Sequence, residues 1–445
     1  MSPVEKRKLA YDYLNRRWQI LTKSVPRVKQ RIVYWGAAQA PLQITLERAS
    51  HASSSRHIPL NAHLHFGRGK PVIGPLIGIL TASGRNGSFL GVRSNFIDII
   101  QTGYRMGGIV FVFTPEQINW ENGTIHAYLY HSRHKQWLRA VVPMPNVVYN
   151  RIPLRHLENQ DDMRECIHKL QKTKGVTLFN PHFFNKEDLI RLLQRSPHLS
   201  PYLPLTTALQ NRHDLRQMLR KKKQVFLKPT EGKAGSGIMR VESRPQHNDY
   251  HLIVQTGKAP RKLRTKSFEQ VWRWFRKYRS SPSYIIQEAV SLTQIDRCPF
   301  DFRALVQKDR SGEWQLTGLG IRVAGENRIT THVPRGGRIA NPREVLGYML
   351  SEAETDKVQN QVEQLALAIA HELEQHYGHL GEMSMDIGLD KTGKLWFFEA
   401  NAKPMKFDEP LIRRRSLENL IGYAYYLTFI QSGKGVRYDT LVKAN

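Results

Sequence analysis

Between Gly381 and Pro404 the chain reads GEMSMDIGLDKTGKLWFFEANAKP, two alternating runs around Thr392 and Gly393, and no other segment constrains the fold as tightly. Successive side chains of a strand point to opposite faces. With Thr392 and Gly393 as a two-residue hairpin turn, Asp386 lies opposite Glu399, and Asn401 projects from the same side. Met385, Ile387, Leu389, Trp396, Phe398 and Ala400 then share an uncharged face suited to a core. Opposed carboxylates with side chains roughly 5 Å apart repel each other unless a cation lies between them. Two carboxylates and an amide suit magnesium or manganese better than zinc, above all where phosphate oxygens complete an octahedron. A solvated hairpin face with incidental acids is the competing reading of the same pattern.

A chain of 445 residues has room for about two to four domains, and its 40% apolar content is too high for a disordered one. Lys and Arg number 67 against 38 Asp and Glu, a formal charge of +29 that favours anionic partners: nucleotide, nucleic acid or acidic polymer. Cys166 and Cys298, the only cysteines, are too few for a disulfide framework or a cysteine zinc site, which points to a reducing, cytoplasmic setting. They read as buried apolar fillers. The spacings of His51, His57, His63 and His65 match no zinc pattern, so these are expected at the surface. The start has no apolar core of signal-peptide length, and the longest apolar run, Leu420 to Ile430, is about half a membrane span.

Residues 1–70 read as a basic extension with a helical opening and a Ser/His-rich stretch. Residues 71–180 change to an α/β pattern: strand VIGPLIGIL, helix SNFIDIIQTGYRMGG, strand IVFVFT, further strands at 125–130 and 147–149, then helices near 155–170 and 185–194. In 181–435, Val358, Val362, Leu365, Ile369 and Leu373 recur at helical spacing, predicting an amphipathic helix over about 355–377.

The segment VFLKPTEGKAGSGIMRV ends a strand at Lys228 and crowds Gly232, Gly235 and Gly237 into the next turn. Converging backbone N–H groups beside a lysine suit a phosphate. No G-x-x-x-x-G-K-[ST] string exists, which argues against a Walker-type NTPase; an ordinary flexible turn reads equally well. YIIQEAV runs into Gln287 and Glu288, PFDFRALVQ carries Asp301 and Arg303, and THVPRGGRIA places Arg335 before two glycines, a guanidinium for a carboxylate or phosphate.

In this order the pieces resemble the ATP-grasp superfamily, and within it the endospore coat-associated YheC/YheD group, through PVIGPLIGILTASG, VVYNRIP, FLKPTEGKAGSGI and FFEANAKPMKFDE over about four-fifths of the chain. The resemblance implies a mixed α/β and α+β architecture. A pre-ATP-grasp α/β domain would precede an ATP-grasp domain whose two lobes clasp ATP and magnesium between antiparallel sheets. It implies that Lys186 and Lys228 contact phosphates and that Gly232, Lys233, Ala234, Gly235 and Ser236 close over them. Gln287, Glu288 and Val290 would line the adenine hinge, Asp386, Glu399 and Asn401 would hold magnesium or manganese, and Arg303 and Arg335 would face the transferring phosphoryl group and the acceptor. Two departures concern the acceptor: related glutamate ligases have N-L-H-R-G-G where this chain has H-V-P-R-G-G, and Ser384 stands where D-alanine ligases have arginine.

The implied reaction is ATP-dependent ligation of a carboxylate to an amine through an acylphosphate, in a cytoplasmic protein associated with the spore coat. An acidic peptide or polymer is one partner that would match the basic surface. A noncatalytic nucleotide-binding protein of coat assembly is the alternative. Nucleic-acid binding ranks last, since no recognition motif accompanies the charge.

Overall fold

The N-terminal segment is built by strand pairing, not by the helix that its composition suggests. In the computed structural model, which describes residues 4–24, 28–51, 57–67, 70–231, 236–255, 260–326, 331 and 337–431, β1 (Val4–Asp12), β2 (Arg17–Thr22), β3 (Gln30–Trp35), β4 (Ala40–Arg48), β5 (His57–Gly67) and β6 (Lys70–Ile73) close a barrel in the order β1-β2-β4-β3-β6-β5. Residues of β1 pair with β5 along its whole length, so ladder hydrogen bonds override local helix preference. Tyr11, Trp18 and Trp35 pack together out of water, tilted and then edge-to-face, with ring centroids 4.9 and 5.1 Å apart. His57 and His65 are buried on β5, a correction to their expected surface placement. His63 meets the Tyr425 hydroxyl at 3.0 Å, and burial holds it down to about 4 and His65 to about 3.

The expected strand VIGPLIGIL is two strands, because Gly74 and Pro75 interrupt it: its first residues close the barrel and Leu76–Leu80 starts a new sheet as β7. Then come α1 (Arg93–Met106), β8 (Ile109–Phe113), β9 (Ile118–Asn119), β10 (Thr124–His131), β11 (Gln136–Pro143), β12 (Val147–Asn150), α2 (Arg155–Glu158), α3 (Asp161–Lys172) and β13 (Thr177–Phe179). The order is β11-β10-β8-β7-β12-β13, with a parallel centre whose strands read as unbroken apolar runs, as burial on both faces requires. Gly103 lets α1 lie against β8, since a Cβ there would meet Val110 at 2.2 Å. Cys166 is buried in α3, where desolvation pushes its thiol up to about 12. Cys298 is half-buried beside another core.

After α4 (Lys186–Gln194) two antiparallel sheets follow. The smaller has β14 (Thr206–Ala208), α5 (Arg212–Lys221), β15 (Gln224–Pro229), β16 (Met239–Arg244), β17 (Asp249–Val254), β18 (Arg261–Thr265), α6 (Phe268–Tyr278) and β19 (Tyr284–Glu288), in the order β14-β19-β15-β16-β17-β18. Val225, Leu227, Met239, Val241 and Leu252 pack under α5 and α6, which leaves the alternate residues on an open face. The larger has β20 (Gln294–Ile295), β21 (Cys298–Lys308), β22 (Trp314–Val323), β23 (Arg338–Ala340), α7 (Pro342–Gly347), α8 (Glu352–Tyr377), β24 (Glu382–Leu389) and β25 (Leu395–Asn401), in the order β23-β22-β21-β24-β25 with β20 on β21. A Ser351–Glu354 capping box starts α8, and Val362, Leu365, Ile369 and Leu373 bury its apolar stripe. The helix α9 (Pro410–Tyr425) packs on α1, β21 and β22. No helix among the described residues is long and apolar enough to cross a membrane.

Asn180, in the left-handed region, joins the parallel sheet to the larger antiparallel one. Its Oδ1 accepts from the Gly381 and Glu382 N–H groups at 2.8 and 3.4 Å, and its Nδ2 donates to the carbonyls of Glu382 and Ala402. Asn180→Ala would leave several buried backbone groups without partners, so the expected loss is about 3 kcal/mol. A drop in the chemical denaturation midpoint measures it, and an unchanged midpoint would show that the junction contributes little.

Candidate functional site

In the β24–β25 hairpin Asp386 faces Glu399 and Ser384 faces Asn401, the expected register, reached by a different route. The turn is a three-residue loop, Lys391 to Gly393, closed by Asp390, whose Oδ1 accepts from the Thr392 and Lys394 N–H groups. One residue nearer the turn, Ile387 faces Phe397, so Phe398 is an inserted bulge residue that restores the pairing. The bulge also changes the faces. Leu395 and Phe397, not Trp396 and Phe398, join Met385, Ile387, Leu389 and Ala400 in the core. Phe398 turns toward Lys228, whose Nζ lies 5.4 Å from its ring centroid and 5.7 Å from that of Phe226. Gly388 makes room, since a Cβ there would meet Phe398 at 2.6 Å.

Cations gather on this face. Asn185 caps α4 through its side chain, which fixes Lys186 as the first helical residue. Lys186 Nζ reaches Glu399 Oε2 at 2.6 Å, and Asn401 Nδ2 donates to Glu399 Oε1 at 3.2 Å. From the opposite sheet, Lys228 Nζ donates to Gln287 Oε1 at 2.5 Å, and Gln287 Nε2 to Thr206 Oγ1 at 3.1 Å. Burial, and then the charge of Lys186, bring Lys228 down to about 8. Next along β21, Arg303 Nη1 pairs with Asp386 Oδ1.

Arg322 is the residue that the sequence reading missed. On β22, it grips Asp301 with Nε–Oδ1 at 2.9 Å and Nη2–Oδ2 at 2.8 Å, and Nη2 also reaches Asp386 Oδ2 at 2.7 Å. Asp301 also accepts from the Thr331 hydroxyl at 2.5 Å. All three charged groups are under a tenth exposed. Burial raises the Asp301 carboxyl, with the Asp386 charge adding to it; Arg322 stays cationic because both acids outweigh its own desolvation. The available signal was an arginine inside the apolar run LGIRVAG, since a charge in a buried strand needs a partner.

Glu288 is tied down: its carboxylate pairs with Lys222 and accepts from the Leu205 N–H at 2.8 Å. With Val290, Asp390, Lys391 and Trp396 it lines an open cleft of about 200 Å³. Ser236 lies on an exposed turn. Gly232, Lys233, Ala234, Gly235 and Arg335 lie outside the described residues.

Among the described residues no three His, Cys, Asp or Glu side chains converge as a metal site. Asp386, Glu399 and Asn401 nevertheless form an all-oxygen donor set on one face, already drawing in Lys186, Arg303 and Arg322. That set fits a hard divalent cation whose remaining ligands are phosphate or water oxygens.

A family model described as YheC/D like ATP-grasp matches residues 175–427. The chain is 32% identical over 376 residues to the endospore coat-associated protein YheD of Bacillus subtilis, covering 80% of this chain and 79% of that protein. It is 24% identical over 340 residues to YheC of the same organism, covering 74% and 91%. Among solved structures, the ATP-grasp ligase PsnB complexed with a minimal precursor matches at 14% identity and TM-score 0.45, over 80% of this chain and 99% of that one. D-alanyl-alanine synthetase A of Vibrio cholerae matches at 12% and 0.46, over 83% and 99%.

Arg322→Ala would leave two buried carboxyls sharing one cation fewer, an expected loss of about 3 kcal/mol or more. The loss should shrink as pH falls, because protonation relieves the unpaired acids. Denaturation midpoints across an acid-to-neutral series test this, and a loss independent of pH would sink the electrostatic account.

Proposed function

The chain belongs to the YheC/D-like ATP-grasp family, and from that premise we propose that it binds ATP with magnesium or manganese and joins a carboxylate to an amine through an acylphosphate, in work associated with the endospore coat. One observation carries the reading: Asp386, Glu399 and Asn401 meet Lys186, Arg303 and Lys228 in the cleft between two antiparallel sheets.

In this reading Asp386, Glu399 and Asn401 hold the divalent cation, which when bound neutralises phosphate charge and polarises the transferring phosphoryl group. Lys186 and Lys228 neutralise the triphosphate from either side of the cleft. Phe226 and Phe398 flank Lys228 and exclude water, which strengthens its attraction for an anion. Arg303, about a fifth exposed, is the guanidinium placed to turn from Asp386 toward charge developing at the phosphorus. Gln287 orients Lys228 and is itself fixed by Thr206. No nucleophilic side chain is needed: the substrate carboxylate attacks, ADP leaves, and the amine then displaces phosphate.

ADP release that depends on a carboxylate and an amine tests the reading. Glu399→Ala should abolish it, and Arg303→Ala should lower kcat by about a hundredfold or more. Stable ATP binding without ADP formation from any carboxylate and amine pool would favour a noncatalytic role. A second expectation concerns pH. Free Lys228 loses its proton as pH rises through about 8, whereas bound triphosphate favours the charged form, so ATP affinity should fall with pH above that point. Lys228→Gln should bind ATP more weakly and flatten the profile; calorimetry over that range decides, and an unchanged slope would remove Lys228 from the phosphate site.

A further inference from the structure

The positive charge of this chain is concentrated. Residues 206–288, which form the smaller sheet and its two helices, hold 19 Lys and Arg against six Asp and Glu, giving +13 of the total +29. Four of those acids are already engaged within the lobe. Asp214 caps α5, Asp249 is gripped by Arg244 and Arg264, Glu269 pairs with Arg212 and Arg216, and Glu288 with Lys222. Five of the cations left over share one rim. Within the described sheet β18 is an edge strand, bonded to β17 alone, and it exposes Arg261 and Lys262; Lys266 follows, and α6 exposes Arg273 and Lys277 beside it. Arg261 ties strand to helix by donating to the Tyr278 hydroxyl at 2.8 Å. Lys262, Lys266, Arg273 and Lys277 have no ion pair with any described carboxylate.

We propose that this rim, β18 with the exposed face of α6, docks a carboxylate-rich polypeptide, an acidic peptide chain whose acid groups are presented to the cleft that the same sheet covers. The inference rests on the carboxylate-activating reading above and supplies its substrate class. Charge complementarity names the sign of the partner, and the aromatic residues narrow its kind. Sequence-tolerant binding of single-stranded nucleic acid uses exposed rings on which bases stack. The rings here are engaged: Phe268 and Phe275 are buried in the lobe core, Trp272, Trp274 and Tyr278, half-buried, pack against it, and Arg261 and Lys277 lie over the Tyr278 ring. What remains outside is ammonium and guanidinium groups along an unpaired strand edge, which can hold an extended acidic chain by charge and by main-chain hydrogen bonds.

Binding of labelled poly-L-glutamate to the full chain, beside duplex DNA of matched length, tests the proposal, with ATP affinity measured on the same samples. Poly-L-glutamate should bind more tightly than DNA. The combined variant Lys262→Glu, Arg273→Glu, Lys277→Glu should weaken it by about tenfold or more at fixed salt, with ATP affinity unchanged. Tighter binding of DNA, or equal polyglutamate affinity in the variant, overturns the docking surface. Absence of ATP binding in the unaltered chain instead overturns the reading on which it rests.

Discussion

Buried acids need company, and in this molecule the need organises the centre. Asp301 and Asp386 lie on neighbouring strands of the larger sheet, both nearly out of contact with water. Neither could remain ionised there alone, because removing a carboxylate from water costs several kcal/mol that only close opposite charge offsets. Arg322 supplies that charge to both at once. Its planar fork meets Asp301 through two nitrogens and still reaches Asp386, a geometry lysine could not reproduce. The strand pairing of β21 with β22 and β24 is thereby fixed at the level of side chains as well as backbone, and the position of Asp386 follows from it.

The same requirement explains why the cleft is assembled from parts far apart in the chain. Glu399 finds its cation in Lys186, more than two hundred residues earlier, and the loop after β25 is held the same way. Lys403, almost fully buried, pairs with Glu158 and with Asn150 Oδ1 at 2.9 Å over the Phe183 ring. Burial brings it down to about 8 despite that acid. The Lys403 pair and the four hydrogen bonds of Asn180 thus tie the β24–β25 layer to the parallel sheet, while Lys186 ties Glu399 to α4. A misplacement of either layer would be felt at the site.

Legibility in the sequence followed the range of the interactions. The face bearing Asp386, Glu399 and Asn401 was readable because period-two alternation is local, and so was the helix that became α8. Phe398 was assigned to the wrong face because a bulge is invisible to alternation: one extra residue flips the phase, and only the acids on either side keep the register. The two-residue turn was wrong for the same reason, its error cancelled by the bulge. The barrel escaped notice because its strands pair across long separations, β1 with β5, and outward-facing Lys6 and Lys8 in β1 dilute the apolar signal. Arg322 escaped because its partners, Asp301 and Asp386, stand 21 and 64 positions away, and composition cannot say which acid an arginine will find.

The ion pairs of the cleft also bear on how it would respond to a nucleotide. Lys186 and Arg303 neutralise Glu399 and Asp386 from partly exposed positions, whereas Arg322 does so from a buried one. The two classes are not interchangeable. A cation that keeps some contact with water can turn from its acid at less cost than one that has none; the buried grip of Arg322 on Asp301 cannot be broken without stranding a charge. Were Asp386 and Glu399 to hold a divalent cation as proposed, Lys186 and Arg303 would be the side chains able to turn to the anion, while Arg322 keeps Asp386 in place. On this account the rigid and the exchangeable halves of the site are separated by burial, the property that differs most sharply among its cations.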